Sequence, residues 1–459
     1  MQGLIVIAML FAAGPIDRAC PEGATVARDA RQLTALLTSD AKDIWIAGLV
    51  VGDFEAKRPS TVLGKNGATS AATEGWTPLK MYGSAPLGTP LLINSSTPVG
   101  AGLALHGCER AILQGTGKGT VLRLHGDDVL VEDLTLQKSG SRTSFEDGAL
   151  KVTGERAMVR RITVRDTLYG IAFEQCRSCR LEDTEITGRP QLEENERGDA
   201  VKLWEAHGSE VRRIGVHGMR DVVVWYSRHV TLEDNRITGG RYGTHFMYAH
   251  DATVRRSVLR GNTVGIFVMY SARVLAEDNE LSGARGPAGM GIGFKESDSV
   301  TLKRNSIVSN TTGTFLDSTP HNPSMPVLFE GNTFALNGVA LRTHSSEKGA
   351  KFQGNDFLSN DVLVEVDGNG DARGVEFTGN HWGSYAGYDL DGDGVGDVAF
   401  QLKQASRSLS EARPELKFFD GTAAFGLYDA VSTALPYFAS RLLFEDPRPA
   451  MRPNRKVPR

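Results

Sequence analysis

A right-handed parallel β-helix is the fold class this sequence predicts, on three grounds. A short apolar phrase returns at Ala200-Val-Lys-Leu-Trp-Glu-Ala206, Asp221-Val-Val-Val-Trp-Tyr-Ser227, Gly243-Thr-His-Phe-Met-Tyr-Ala249 and Gly265-Ile-Phe-Val-Met-Tyr-Ser271, so that its starts at 200, 221, 243 and 265 lie 21 or 22 residues apart. A period of that length marks a solenoid, in which each coil buries its apolar face only against its neighbours. A second apolar column runs through Leu136, Val164, Ile186, Val216, Ile237 and Leu259 and on to Trp382, with longer gaps where loops are inserted. Asparagine falls two residues before that column at Asn235, Asn279, Asn305, Asn332, Asn355 and Asn380, and three after it at Asn262, Asn310, Asn337 and Asn360. Asparagine tolerates left-handed backbone and can hydrogen-bond along stacked turns, so these columns mark two bends of each coil. The 52 glycines suit many tight turns better than long helices.

Each phrase alternates like a strand with one face on a core. Val201 and Leu203, Val222 and Val224, Thr244 and Phe246, and Ile266 and Val268 are expected to point inward. One outward column then reads Trp204, Trp225, Met247, Met269. Stacked at the strand spacing of about 4.8 Å, these side chains make a continuous apolar ledge, and such patches often mark contact or ligand sites. His245 stands on the neighbouring outward column, His250 follows at the turn, and Tyr248 and Tyr270 sit beside the two methionines. The plainer expectation is that a loop or the C-terminal segment covers the ledge. The insertion Gly188 to Arg197, with Glu193, Glu194 and Glu196, precedes it and is placed to overhang it.

The remaining chain divides around this solenoid. Leu4 to Ala13 is apolar, too short to span a bilayer and suited to a secretory segment, so residues 1–20 are expected to direct export although no Lys or Arg precedes the run. Residues 21–100 are expected to cap the solenoid, with a helix over Ala27 to Leu37, a strand over Asp43 to Val51, and Pro78, Pro86, Pro90 and Pro98 excluding long helices at the end. Coils occupy 101–385. Residues 386–400 contain Asp389, Asp391, Asp393 and Asp397 at positions 1, 3, 5 and 9 of a calcium-type loop, with Gly394 at position 6 and Phe400 in place of the usual glutamate. Mutual repulsion of four carboxylates favours a bound cation with a structural role. Residues 401–459 are expected to form an amphipathic helix from Thr422 to Phe444, kinked at Pro436, and an extended basic tail; the segment either docks on the transporter or an anionic lipid surface or caps the solenoid with a solvated tail.

Charge and cysteine content narrow the function. A net charge of -4 gives no global field for nucleic acid. Cys20, Cys108, Cys176 and Cys179 do not read as a disulfide scaffold. Cys176-Arg-Ser-Cys179 has the spacing of a redox or soft-metal pair, but Cys176 fills the slot taken elsewhere by Ala206, Ser227, Ala249 and Ser271, which favours a small turn residue.

Trp382 to Asp397, the coil Gly198-Asp-Ala-Val-Lys-Leu-Trp204, and the pair Tyr242-Gly-Thr-His-Phe-Met-Tyr248 and Val264-Gly-Ile-Phe-Val-Met-Tyr270 together resemble the NosD family over roughly residues 40–445. The resemblance implies a non-catalytic periplasmic β-helix protein of nitrous oxide reductase maturation. Its implied partners are an ABC transporter permease at the membrane, a copper chaperone and the reductase apo-protein, whose copper-sulfur centre it helps assemble. Thioethers and imidazole suit Cu(I), so Met247, Met269 and His245, with His250, are candidates for a transient copper site. Trp204, Trp225, Met247, Met269, Tyr248 and Tyr270 are candidates for a partner surface. The alternative from the fold is a polysaccharide lyase, epimerase or carbohydrate-binding protein, whose candidate residues are Asp147, Asp199, Asp221 and Arg197. A purely structural adhesin leaves the Met-Tyr repeats unexplained.

Overall fold

The computed structural model describes residues 18–57, 102–345, 347–367, 370–404, 413–419, 422–434 and 441–455, with Ser406 and Leu409. The apolar run Leu4 to Ala13, the four prolines from Pro78 to Pro98, Pro436 and the last four residues lie outside them. The chain winds as a parallel β-helix. Twelve described strands stack in one sheet from Phe54–Lys57 to Val362–Asp367, and two further columns of short strands, joined through Ala104–Gln114, form the rest of the wall.

Register follows the sequence period. Trp204 pairs with Trp225, Trp225 with Met247 and Met247 with Met269, all parallel. The eight residues expected to face inward are buried, Thr244 among them. Toward the C-terminal end, aromatic rings replace the aliphatic core and stack coil on coil: Phe329 on Phe352 at 4.1 Å, Phe334 on Phe357 at 5.0 Å and Phe357 on Trp382 at 4.3 Å.

The asparagine columns close two of the bends. Asn332 donates through Nδ2 to the Leu302 carbonyl and to Asn355 Oδ1, while Asn355 Oδ1 also accepts from the Asn332 amide. Asn305, Asn279 and Asn380 repeat the arrangement, and Asn310, Asn337 and Asn360 build a second ladder. Each side chain thus satisfies backbone groups that a tight buried bend would otherwise strand.

Both ends are closed. Helix α1 (Ala30–Thr38) starts at Asp29, whose carboxylate accepts the Gln32 amide at 2.9 Å, and buries Leu33 and Leu37 at the N-terminal end. It begins three residues later than Ala27, and the strand beyond it runs Asp43–Val51. At the other end the chain departs from one long helix. Helix α2 is described over Ala423–Ala434, and Arg441–Asp446 is a strand, antiparallel to Phe400–Gln404. The physical reason is the open end of the solenoid. Phe444 packs on Phe377 at 4.5 Å and Trp382 at 5.0 Å, while Asp446 accepts from the amides of Gly379 and Asn380, from Asn380 Nδ2 and from Trp382 Nε1. Four donors of the last coil, three of them buried, are satisfied there.

The described part of the basic tail returns to the wall rather than projecting from it. The Asn454 and Arg455 amides donate to the Asp356 carboxylate at 2.7 and 2.9 Å, and Arg455 reaches the Arg304 carbonyl. The cysteine expectation is also corrected. Cys20 pairs with Cys108 and Cys176 with Cys179, so all four are in disulfides. Cys176 and Cys179 are both buried in the single bend between strands Tyr169–Arg177 and Arg180–Glu182, which brings them within bonding distance. Such pairing belongs to an oxidising compartment.

Candidate functional site

On the outer side of the twelve-strand sheet two columns run side by side. One reads Glu174, Trp204, Trp225, Met247, Met269, Lys295. The other reads Ala172, Lys202, Val223, His245, Phe267, Gly293. At one end Lys202 and Lys151 bridge Glu146 and Glu174, with Lys202 Nζ 2.6 Å from Glu146 and Lys151 Nζ 3.0 Å from Glu174. Burial works against a charge on Glu174, but the two ammonium groups hold its carboxyl below the usual range. At the other end Lys295 pairs with Asp317. Between these charged stretches lies the apolar patch.

His245 is the centre of that patch. It faces outward yet is only 5% exposed, because rings close over it. Trp225 and Tyr242 form T-shaped pairs with it at 5.9 and 4.9 Å, and Phe267 stacks on it at 5.9 Å. Phe267 leans where Gly293 leaves room, since a Cβ there would lie 2.9 Å from its ring. The imidazole Nε2 is 3.2 Å from Met269 Sδ, and Nδ1 is buried with no hydrogen-bond partner among the described residues. Burial pushes its pKa down to about 4, so the ring is neutral at ordinary pH. A buried imidazole held against a thioether, with an unpartnered nitrogen, is an unusual use of a polar group, because burial without a partner costs free energy.

Met247 lies between Trp225 and Met269 in the column, all three partly exposed. Imidazole and thioether are donors for a soft monovalent cation rather than a hard one, and Asp221, the carboxylate that acts on His245, is paired with Arg241. Of these donors His245 and Met269 are in contact at 3.2 Å, and Met247 is the in-register neighbour of Met269.

His250 is not part of this cluster. It lies in the turn beyond, in a ladder with Arg228 and Ala272, and its Nδ1 accepts the Ala272 amide at 3.1 Å. His207 accepts the Arg228 amide in the same way two coils earlier, so this histidine serves the turn.

Beside the methionines, Tyr248 stacks on Tyr270 at 5.1 Å, and Tyr226 extends the stack at 5.1 Å. All three have left-handed backbone, at φ 52°, 51° and 50° for Tyr226, Tyr248 and Tyr270. Glu205 and Glu296 share that conformation in the same slot; the conformation belongs to the turn, and only the choice of aromatic is particular. The Gly188 to Arg197 insertion bounds the opposite edge, with Glu194 accepting from Thr263 Oγ1 at 2.8 Å and Arg197 donating to the Gly239 carbonyl. Tyr242, Phe267, Gly293 and Tyr226 were not singled out from sequence. Phe267 and Val223 stand 22 residues either side of His245, so following the second outward column at the coil period would have found Phe267.

The acids considered for carbohydrate chemistry are each engaged by an arginine: Asp147 by Arg142, Asp199 by Arg220 and Asp221 by Arg241. Arg197 holds loop carbonyls. In the terminal loop, carboxylate oxygens of Asp389, Asp391 and Asp393 lie within 4.8 Å of one another. Asp397 is not in that group, and its carboxylate accepts the Leu390 amide at 2.6 Å.

Fold and site together define a β-solenoid that carries a soft-donor patch walled by aromatic rings. A family model described as periplasmic copper-binding protein (NosD) matches residues 182–387, the stretch that contains the patch. The curated relative named probable ABC transporter binding protein NosD from Stutzerimonas stutzeri is 25% identical over 359 residues, covering 76% of this chain and 82% of its own. Its counterpart of the same name from Pseudomonas aeruginosa is 25% identical over 367 residues, covering 77% and 85%. The chain is thus similar to members of the NosD family over about three quarters of its length. Among solved structures, the A-module of a mannuronan C-5 epimerase from Azotobacter vinelandii covers 78% of this chain and 96% of its own at 13% identity and a TM-score of 0.49. The catalytic domain of an α-1,3-glucanase covers 80% and 70% at 10% identity, also with a TM-score of 0.49. Neither likeness bears on activity.

Proposed function

We propose that this chain is a non-catalytic periplasmic accessory protein that receives Cu(I) on the outer wall of its solenoid and hands it on in the service of an ABC transporter system. The observation that carries this reading is His245, buried under aromatic rings with Nε2 against Met269 Sδ and Nδ1 unpartnered. Copper is here the cargo. His245, Met247 and Met269 hold it, the surrounding rings limit water, and the partly exposed methionines leave one side open for exchange with a partner. The matching family's description as copper-binding and the relatives' names as ABC transporter binding proteins support the reading. Within it, the donor is a copper chaperone, the recipient is the nitrous oxide reductase apo-protein with its copper-sulfur centre, and Trp204, Trp225, Met247, Met269, Tyr248 and Tyr270 form the docking surface. The terminal loop plays a separate, structural part, with Asp389, Asp391 and Asp393 binding calcium near the capped end.

Titration of the full chain with Cu(I) under reducing conditions against a competing chelator tests the proposal. One equivalent is expected to bind, and Met247→Leu with Met269→Leu is expected to weaken it by about 100-fold or more, beyond the effect of losing an outer-shell group. His245→Phe provides the complementary variant. Phenylalanine suits the aromatic surroundings and removes the unpartnered nitrogen, so stability should be unchanged or higher while copper is lost. Unchanged affinity in both variants would remove the site.

A further inference from the structure

The three proposed ligands leave open what faces the ion from the solvent side, and the column supplies a candidate. Trp225 is the in-register neighbour of Met247, its ring meets His245 at 5.9 Å with the planes 89° apart, and it is partly exposed. Its Nε1 is buried without a partner. Packing therefore sets the position of this indole, and no hydrogen bond from its N–H to the described residues accounts for tryptophan in this place. Trp204, one coil further from the methionines, provides a control of the same residue type in the same column.

We propose that Trp225 is a specificity-determining residue of this site: its indole lies over the bound ion in a cation–π contact and closes the coordination sphere to water, so that Cu(I) and Ag(I) are accepted and Cu(II) and Zn(II) are refused. The inference rests on the copper reading above and deepens it. Two thioethers and one imidazole satisfy a soft d10 monovalent ion, whose low coordination demand leaves room for a π face. Cu(II) and Zn(II) require further nitrogen, oxygen or water ligands. An indole in that place offers none and blocks the water that would supply them. The nearby charges do not compensate, because Asp221 is paired with Arg241 and Arg220, and Lys295 at the far end of the column is itself cationic and paired with Asp317.

The test compares the full-length chain with its Trp225→Phe, Trp204→Phe and Met247→Leu/Met269→Leu variants. Each is titrated with Cu(I), Ag(I), Cu(II) and Zn(II), with tryptophan emission and chelator competition as readouts and thermal melts to confirm folding. One equivalent of Cu(I) or Ag(I) should quench emission in the wild type and in Trp204→Phe, and that component should vanish in Trp225→Phe. The Trp225→Phe variant should still bind one Cu(I), about 3- to 30-fold more weakly, and should begin to retain Zn(II). If Trp225→Phe keeps the wild-type affinity and discrimination while the methionine variant loses copper, the site stands and this inference fails. If wild type binds no Cu(I), or the methionine variant binds it unchanged, the copper reading itself fails and takes this inference with it.

Discussion

At the scale of single residues, the site depends on small groups making room for large ones. Gly293→Ala would place a Cβ 2.9 Å from Phe267, so the ring must shift off His245. The expected result is a loss of about 1–3 kcal/mol in stability, as for other overpacked positions, and a weaker hold on Cu(I) in the same chelator competition. An unaltered melt and affinity would show that Phe267 does not depend on that glycine. Glu132 offers a test away from the site. Its side chain is nearly buried; burial opposes its charge, but bonds from Arg160 and His106 and the nearby Arg161 hold its pKa down to about 2. A depressed carboxylate contributes stability that is present above its unfolded value and lost as pH falls toward 2. Acid melts of wild type should therefore steepen below the ordinary glutamate range, and Glu132→Gln should flatten that slope while lowering stability at neutral pH by about 3 kcal/mol, the cost of stranding its partners. Identical pH profiles would contradict the assignment.

At the scale of elements, the asparagine ladders and their terminal carboxylate do the work of secondary-structure caps. Asp446 accepts four hydrogen bonds from the last coil, so Asp446→Ala should release those amides. Hydrogen exchange at residues 376–382 should accelerate strongly while coils around residue 260 stay protected, because solenoid stability is transmitted mainly between neighbours. Uniform protection across both regions would show that the strand, not the carboxylate, closes the end. What sequence revealed at this scale depended on repetition. The ladder positions and inward strand residues were legible because each is sampled many times at the coil period. Arg441 to Asp446 is not repeated, and its apolar residues fit helical spacing equally well. Only the exposed rings and unsatisfied donors of the last coil draw it into a strand, and those belong to tertiary structure.

At the scale of the whole molecule, parallel in-register stacking turns a one-dimensional period into a surface. The Trp204 to Met269 stripe followed from that alone. The burial of His245 did not, because it requires Tyr242, Phe267 and Trp225 to lean inward over a residue whose parity points out. Cysteine pairing was likewise hidden, since Cys20 and Cys108 lie 88 residues apart and meet only when the N-terminal cap folds. Loop-closure entropy grows with the length of the closed loop, so Cys20→Ser should lower Tm more than Cys176→Ser does; the reverse order would indicate that core packing at Cys176 outweighs loop closure.

The central claim is that one imidazole and two thioethers on adjoining coils share a Cu(I) ion. X-ray absorption at the copper edge of the Cu(I)-loaded full chain tests it most directly. One nitrogen and two sulfur neighbours are expected, with the sulfur shell lost in Met247→Leu/Met269→Leu. A first shell of nitrogen and oxygen only, or a spectrum indifferent to that double substitution, would contradict the claim.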